Sequence, residues 1–407
     1  MNVVKEIVSR TREYGLKYVL KIIIKNRVYK PLNKFVMNIS KIIFKKVKIK
    51  NTIIIESHND FDTNGGALYR YLIDNNYNEK YKIVWLIKNK KPKKLPRNVY
   101  CFNLIKPGFR KAYNICTAKI ITCDDMITEK VKNEQKVFYL THGIGSLKNV
   151  RGKMNIPESV DYILTSSERF APILAKQLSL EYPSSRIISV GFPCHDYLYC
   201  GKTGELGKII NKEYKKHILW MPTFRKGGGD WRNDSSMEQE MGIPLFHSVS
   251  EYEEFNNYLR KIDTVLIIKI HPMQNLSNLG IKTLSNIIVL TSETVKNLNV
   301  DNYRLIADVD ALISDYSAIA TEFIHLNRPV AYVFEDAEYY KSGFCVDDPE
   351  ELTAGPKLYT MDDLYKFTDD VLNDKDTYEN KRIKLRNWMF DYQDSDNCRR
   401  LVEFMEI

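Results

Sequence analysis

The stretch Asn51-Thr-Ile-Ile-Ile-Glu-Ser-His58, followed by Asn64-Gly-Gly and then Ala67-Leu-Tyr-Arg-Tyr-Leu-Ile73, decides the fold. A β-branched run ending in polar residues, a glycine-containing loop and an apolar helical segment read as strand, loop, helix. The pattern recurs. Apolar runs at 83–87, 119–123, 137–140, 162–165 and 186–190 each end in polar or glycine residues, with helix-length stretches between them. Such alternation predicts an α/β domain over 51–205, a parallel sheet covered by helices on both faces, with ligands beyond the carboxyl ends of its strands. Gly201, Gly204 and Gly207 amid Lys and Glu mark a linker. Runs at 217–221, 264–270, 287–290, 310–314 and 329–334 predict a second α/β domain over 206–372. Residues 373–407 remain as terminal helices packing back across the domains.

The 407 residues are 44% apolar and 28% charged, a globular composition of about two domains that excludes disordered and collagen-like chains. The net charge is +10, and its location is informative. Residues 1–50 hold fourteen Lys or Arg against Glu6 and Glu13, a balance of +12, so the other 357 residues sum to −2. Seven Cys, an odd number without a CxxC spacing, suit neither a disulfide framework nor a zinc site and point to a reducing cytosol. No signal peptide and no run of eighteen apolar residues is visible, so neither secretion nor a membrane span is expected.

Within 1–50, Val4, Ile7, Val8, Tyr14, Tyr18, Val19, Ile22 and Ile23 fall three or four apart, as do Val36, Ile39, Ile43 and Val47, with lysines on the other faces. Two short amphipathic helices separated by Pro31 are predicted, lying on an anionic membrane surface. The alternative is a helical pair packed on the body with a solvated basic face. Nucleic acid fits less well, because no stacking pattern or recognition motif accompanies the charge.

Five strand ends carry chemistry. Thr141-His142-Gly143-Ile144-Gly145-Ser146-Leu147-Lys148 follows a strand, and an imidazole there can accept a proton near neutral pH, or simply hydrogen-bond in a turn. The turn Gly191-Phe192-Pro193-Cys194-His195-Asp196 is expected to line the same cleft. In the second domain, Pro222-Thr223-Phe224-Arg225 precedes a glycine-rich 227–234 loop that reads as a mobile flap, and another strand ends in His271-Pro272. Ser314-Asp315-Tyr316-Ser317 before Ala318-Ile-Ala-Thr-Glu322 supplies a helix cap, whose N–H groups suit phosphate oxygens.

Taken in order, these motifs resemble the CDP-glycerol glycerophosphotransferases of teichoic acid and capsule synthesis, from about Ile53 to Phe404. The set comprises Asn64 before Ala67-Leu-Tyr, Thr141-His-Gly with Lys148 and Gly152, Gly191-Phe-Pro with Asp196, Pro222-Thr-Phe-Arg225, His271-Pro272, Ser314-Asp-Tyr-Ser317, and Arg328-Pro329 before Tyr339-Tyr and Gly343-Phe344. The resemblance implies a GT-B type α/β fold, two Rossmann-like domains facing a central cleft, with a peripheral attachment to the cytoplasmic face of the membrane through the N-terminal segment. It implies His142 as general base and His271 on the donor diphosphate. Arg225, Ser314 and Ser317 would hold phosphate oxygens, and Asp315 or Glu322 would lie near the cytidine or the glycerol hydroxyls. Asn64, Gly143, Lys148, Thr223 and Arg399 complete the implied substrate contacts. Departures fall at Thr141, at Gly145-Ser146-Leu147-Lys148 and at Asp394-Ser395 before Arg399-Arg400. The implied reaction takes CDP-glycerol, adds the polyol phosphate to a lipid-linked glycan acceptor and releases CMP, the alternative being CDP-ribitol or another polyol or sugar phosphate in capsule synthesis. No obligatory metal is implied, with Asp124-Asp125 the one carboxylate pair at a strand end that could hold one. A nucleotide-sugar glycosyltransferase and a catalytically idle membrane adaptor are the competing readings.

Overall fold

The computed structural model describes residues 11, 15–89, 91–141, 143, 147–225, 234–276 and 279–407. His142 and most of the 227–234 loop lie outside the described residues. Internal contacts divide the chain into two units, 1–142 with 156–164 and 405–407, and 143–155 with 165–404.

The apolar runs form strands β1 (Lys50–Glu56), β2 (Lys82–Ile87), β3 (Val99–Asn103), β4 (Ala118–Cys123), β5 (Lys136–Tyr139), β6 (Tyr162–Thr165) and β7 (Ile187–Ser189). They make one sheet of order β3-β2-β1-β4-β5-β6-β7. The β1 to β6 pairings are parallel, with Ile54 opposite Val84 on one side and Ile121 on the other. Ile53, Ile54, Ile55, Val84 and Trp85 are fully buried, the mark of strands covered on both faces. Each such side chain contributes about 1.5–3 kcal/mol by leaving water. Gly66 in the following helix, α3 (Thr63–Asp74), explains the Asn64-Gly-Gly signature. A Cβ there would stand 2.5 Å from the backbone of Phe61, so the loop can fold back onto the helix only past glycine.

The second sheet comprises β8 (Lys216–Trp220), β9 (Thr264–Lys269), β10 (Ile287–Leu290), β11 (Ala311–Ser314), β12 (Val330–Val333) and β13 (Lys357–Leu358), in order β10-β9-β8-β11-β12-β13. All its pairings are parallel. Trp220, Phe246, Tyr252, Phe255 and Leu259 pack against Ile268, Ile313 and Val333 to form its core. In both sheets strand order reverses once, between β1 and β4 and between β8 and β11. Helices diverge to opposite faces at such a point and leave a crevice at the carboxyl edge.

The amino-terminal segment corrects the sequence expectation. Helix α1 (Leu16–Ile23), a π-helical stretch (Ile24–Tyr29) and helix α2 (Lys30–Ile43) run on without a break. Pro31 therefore does not interrupt the helix. The wide turns just before it accommodate the missing N–H and the ring, so the chain stays helical through it. One face buries Val19, Val36 and Ser40, and Phe44 meets Tyr113 of helix α4 (Phe109–Thr117) edge to face at 5.1 Å. Leu16, Leu20, Ile24, Val28, Leu32 and Phe35 form an exposed stripe at three- to four-residue spacing, and Ile42 is 78% exposed. Among the described residues, no helix is long and apolar enough to cross a membrane.

Candidate active site

At the second sheet's reversal point, the residues after β8 and β11 are tied together. The Asp315 carboxylate accepts from the Thr223 N–H and hydroxyl, both at 2.9 Å, and from Arg225 Nη1 at 2.7 Å. Arg225 donates through Nε and Nη2 to Asp336, just beyond β12, at 2.7 and 3.0 Å, and through Nη1 to the Thr223 carbonyl at 2.9 Å. Its guanidinium also lies 5.2 Å from the centre of the Tyr316 ring, whose hydroxyl donates to Asp336 at 2.9 Å. Asp315 and Asp336 are fully buried and Arg225 is 4% exposed. Burial disfavours the charge on Arg225, but Asp315 and Asp336 outweigh it and raise the guanidinium's pKa. Burial likewise pushes Asp336 up, yet Arg225, Ser235 and Tyr316 together hold it below the usual carboxylate range.

These contacts revise several expectations. Arg225 and Thr223 hydrogen-bond to carboxylates of their own chain. Asp315 is an internal counter-ion with no exposed surface for a cytidine or a polyol. Ser314, also fully buried, donates its hydroxyl to the Met221 carbonyl at 2.8 Å. Ser317 is the N-cap of helix α5 (Ala318–Phe323) but its hydroxyl caps no N–H there. Glu322 is 4% exposed, accepts from the Tyr303 hydroxyl at 2.8 Å and lies 3.8 Å from His195 Nε2. His195, expected in the cleft, is itself buried beside His325 and Phe390. Arg399 stands half-exposed on the last helix, paired with Asp396 at 2.9 Å and Glu403 at 2.8 Å. Sequence spacing places such residues near a strand end, while partners far along the chain decide which way they point.

His271 is different. It follows β9, is partly exposed, and packs on the Phe224 ring at 5.0 Å. Its Nδ1 accepts the Met273 N–H at 3.0 Å. That bond requires an unprotonated Nδ1, so in the neutral ring the proton sits on Nε2, which becomes a donor. Gln274, not foreseen from sequence, accepts the Arg225 N–H at 3.2 Å and donates to the Gly242 carbonyl at 3.2 Å. Asp336 was missed as well, although a carboxylate shortly beyond an apolar strand is a visible signal. A cavity of about 510 Å³ opens beside Arg225, lined also by Ser235, Gln239, Gly242, Gln274 and Lys341, but its lining does not extend to His271.

The segment after residue 142 belongs to this second unit. Gly143 has φ +153, and a Cβ there would stand 3.3 Å from the Ala318 side chain at the start of α5. Lys148 pairs with Phe344 in an antiparallel bridge, the Leu147 carbonyl accepts from the Cys345 N–H, and Lys153 Nζ reaches the Ser342 hydroxyl at 2.7 Å. Motifs far apart in sequence thus share one ladder, and Phe344 packs on Tyr316 at 5.6 Å.

In the first unit, Asn64 donates to the Leu140 and Thr141 carbonyls, both at 3.0 Å. Thr141 is buried with φ +56, a left-handed conformation that costs a side chain about 1–2 kcal/mol. Such strain persists where surroundings over-determine it. Asn64 is therefore a clamp on the backbone immediately before His142. At the reversal point of this sheet, buried Asp124 accepts from the Gly65 N–H at 3.2 Å, the Thr63 hydroxyl and the His58 N–H. Asp125 pairs with His58 and with Lys88, and Lys88 Nζ also meets buried Glu56 at 2.8 Å. The carboxylate pair that a cation would use is held by donors of the protein itself. No cluster of three or more His, Cys, Asp or Glu is placed to hold a metal among the described residues.

The sequence model of the CDP-Glycerol:Poly(glycerophosphate) glycerophosphotransferase family matches residues 38–406. The chain is similar to the teichoic acid glycerol-phosphate primase of Bacillus subtilis (strain 168), 25% identical over 320 residues, covering 73% of this chain and 76% of that protein. It is similar to the teichoic acid ribitol-phosphate polymerase TarL of Staphylococcus aureus (strain NCTC 8325 / PS 47), 25% identical over 418 residues and covering 92% and 68%. A solved structure of the wall teichoic acid polymerase TagF shares the fold, with a TM-score of 0.69 at 18% identity over 98% of this chain and 97% of that one. With nearly the whole length matched and parallel α/β sheets like those of TagF, the chain belongs to the CDP-glycerol:poly(glycerophosphate) glycerophosphotransferase family.

Proposed function

We propose that the protein transfers a polyol phosphate from a CDP-activated polyol to a hydroxyl of a lipid-linked teichoic acid or capsule acceptor, releasing CMP. The family match over 38–406 carries this reading. The two α/β units are taken as the lobes of a GT-B enzyme, the first serving the acceptor and the second the donor. The acceptor oxygen forms a bond to the phosphorus bearing the polyol while the bond from that phosphorus to CMP breaks. His142 takes the acceptor's proton, and the Nε2–H of His271 meets the charge that develops on the departing CMP. Asn64 fixes the Leu140 and Thr141 carbonyls, immediately before His142 in the chain. No metal ion enters this scheme.

CDP-glycerol is the first choice of donor, supported by the family description and by a TagF structure soaked with CDPG. CDP-ribitol is the second, because ribitol-phosphate polymerases are among the relatives. Purified protein given each donor with a lipid-linked acceptor should release CMP with one at a clearly higher kcat/KM. Release of CDP from a nucleotide sugar, or of no nucleotide from any donor, would refute the assignment.

The exposed stripe from Leu16 to Phe35, flanked by Lys17, Lys21, Lys25, Lys30 and Lys34, supports peripheral attachment to the cytoplasmic face of the membrane. Each cation near an anionic leaflet adds about 1 kcal/mol, a term that salt screens. Replacing these five lysines with glutamate should shift the protein from anionic vesicles to the soluble fraction in co-sedimentation. Unchanged sedimentation at low salt would exclude the helix as the anchor.

A further inference from the structure

A groove in the first unit, about 510 Å³, lies where α2 ends against α4 and the β3 edge of the sheet. Its walls are aromatic: Phe44, Tyr100, Phe102, Phe109 and Tyr113. Tyr100 and Phe109 are 45% and 53% exposed, a large apolar surface for water to cover. Its charges are all of one sign. Lys82, Lys91 and Arg110 line it, and among the described residues no Asp or Glu does. The nearby Asp60 is engaged elsewhere, accepting the Lys88 and Asn89 N–H groups at 2.8 and 2.7 Å. Lys82 Nζ stands 5.1 Å from the centre of the Tyr100 ring and 3.3 Å from Asn114 Oδ1.

We propose that this groove binds one anionic lipid, its headgroup phosphate against Lys82, Lys91 and Arg110 and its chain along the aromatic walls. A soluble anion leaves the rings uncovered, and a neutral lipid leaves three cations without counter-charge. Only an anionic amphiphile answers both surfaces. The location agrees, because Phe44 directly follows the helix whose Ile42 and Ile43 are 78% and 57% exposed, so the groove opens next to surface already suited to a bilayer. The proposal rests on the membrane reading of that helix, but its test needs no bilayer.

The whole chain carrying Cys200→Ser is titrated with monomeric dihexanoylphosphatidylglycerol, dihexanoylphosphatidylcholine and glycerol 3-phosphate by calorimetry. Alkylation of Cys101 by N-ethylmaleimide is followed in parallel by mass spectrometry. Cys101 lines the groove half-buried, and burial raises its thiol to about 11, so the reaction is run at alkaline pH. The anionic lipid should saturate a single site and slow Cys101 alkylation. The phosphatidylcholine analogue should bind roughly tenfold more weakly, and glycerol 3-phosphate should not protect. Lys91→Glu with Arg110→Glu, both exposed, should weaken binding by about tenfold or more with an unchanged circular dichroism spectrum. Phe109→Ser, also exposed, should weaken it without altering the charge. Equal affinity for the two lipids, unchanged affinity in the charge variants, protection by glycerol 3-phosphate alone, or binding that leaves Cys101 as reactive as before would each overturn the proposal. Vesicle binding retained in the helix variants with lipid protection of Cys101 intact would count against the helix alone.

Discussion

Arg225→Met lowers the stability of the second unit by about 3–5 kcal/mol, because it strands Asp315 and Asp336 in a fully buried setting without their cation. Urea unfolding followed through Trp220, buried on β8, measures the change. A loss under about 1 kcal/mol would show that the carboxylates find other partners. The effect depends on pH in a definite direction. The folded pKa of Asp336 is held below its unfolded value, so its contribution is complete above the usual carboxylate range and fades as pH falls through the folded value. The gap between wild type and variant should therefore narrow on acidification. Arg225→Met with Asp336→Leu should recover some of the loss, since replacing that buried partner with an apolar group removes one of the two stranded charges.

Replacing His271 should act on turnover rather than on folding. Its ring is partly exposed, and the hydrogen bond at Nδ1 orients Nε2 as a donor. His271→Ala is expected to reduce kcat by about 10²–10³-fold, the loss typical when one donor to developing charge is removed. His271→Gln, which keeps an N–H donor at similar reach, should retain more of the rate. CMP release under saturating donor distinguishes them, and wild-type turnover in His271→Ala would remove the residue from the site. An equal loss in both variants would point to ring packing on Phe224 instead.

The parallel α/β architecture was legible because fully buried strands need continuous β-branched runs. Ile83 to Ile87, Thr264 to Ile270 and Ile287 to Leu290 all lie within or across strands of the structure. Strands β3 and β13 escaped notice. Val99-Tyr-Cys-Phe-Asn is an edge strand with Tyr100 open to solvent, and β13 has two residues, too few to carry a pattern. The site was legible as a set of positions but not as a set of roles. Thr223, Arg225, Asp315 and His271 do sit at the carboxyl edge of one sheet. That Arg225 turns inward depends on Asp336, 111 residues later, a pairing that no local window contains. Glu322 turns inward for the same reason, with Tyr303 and His195 as its partners.

The unbroken run from Leu16 to Ile43 matters mechanically. A pair of helices hinged at a proline would only tether the protein, letting it swing beneath its attachment. A single rod about 40 Å long, seated on α4 with Phe44 against Tyr113, behaves as a keel: whatever surface it rests on also fixes the tilt of the first sheet.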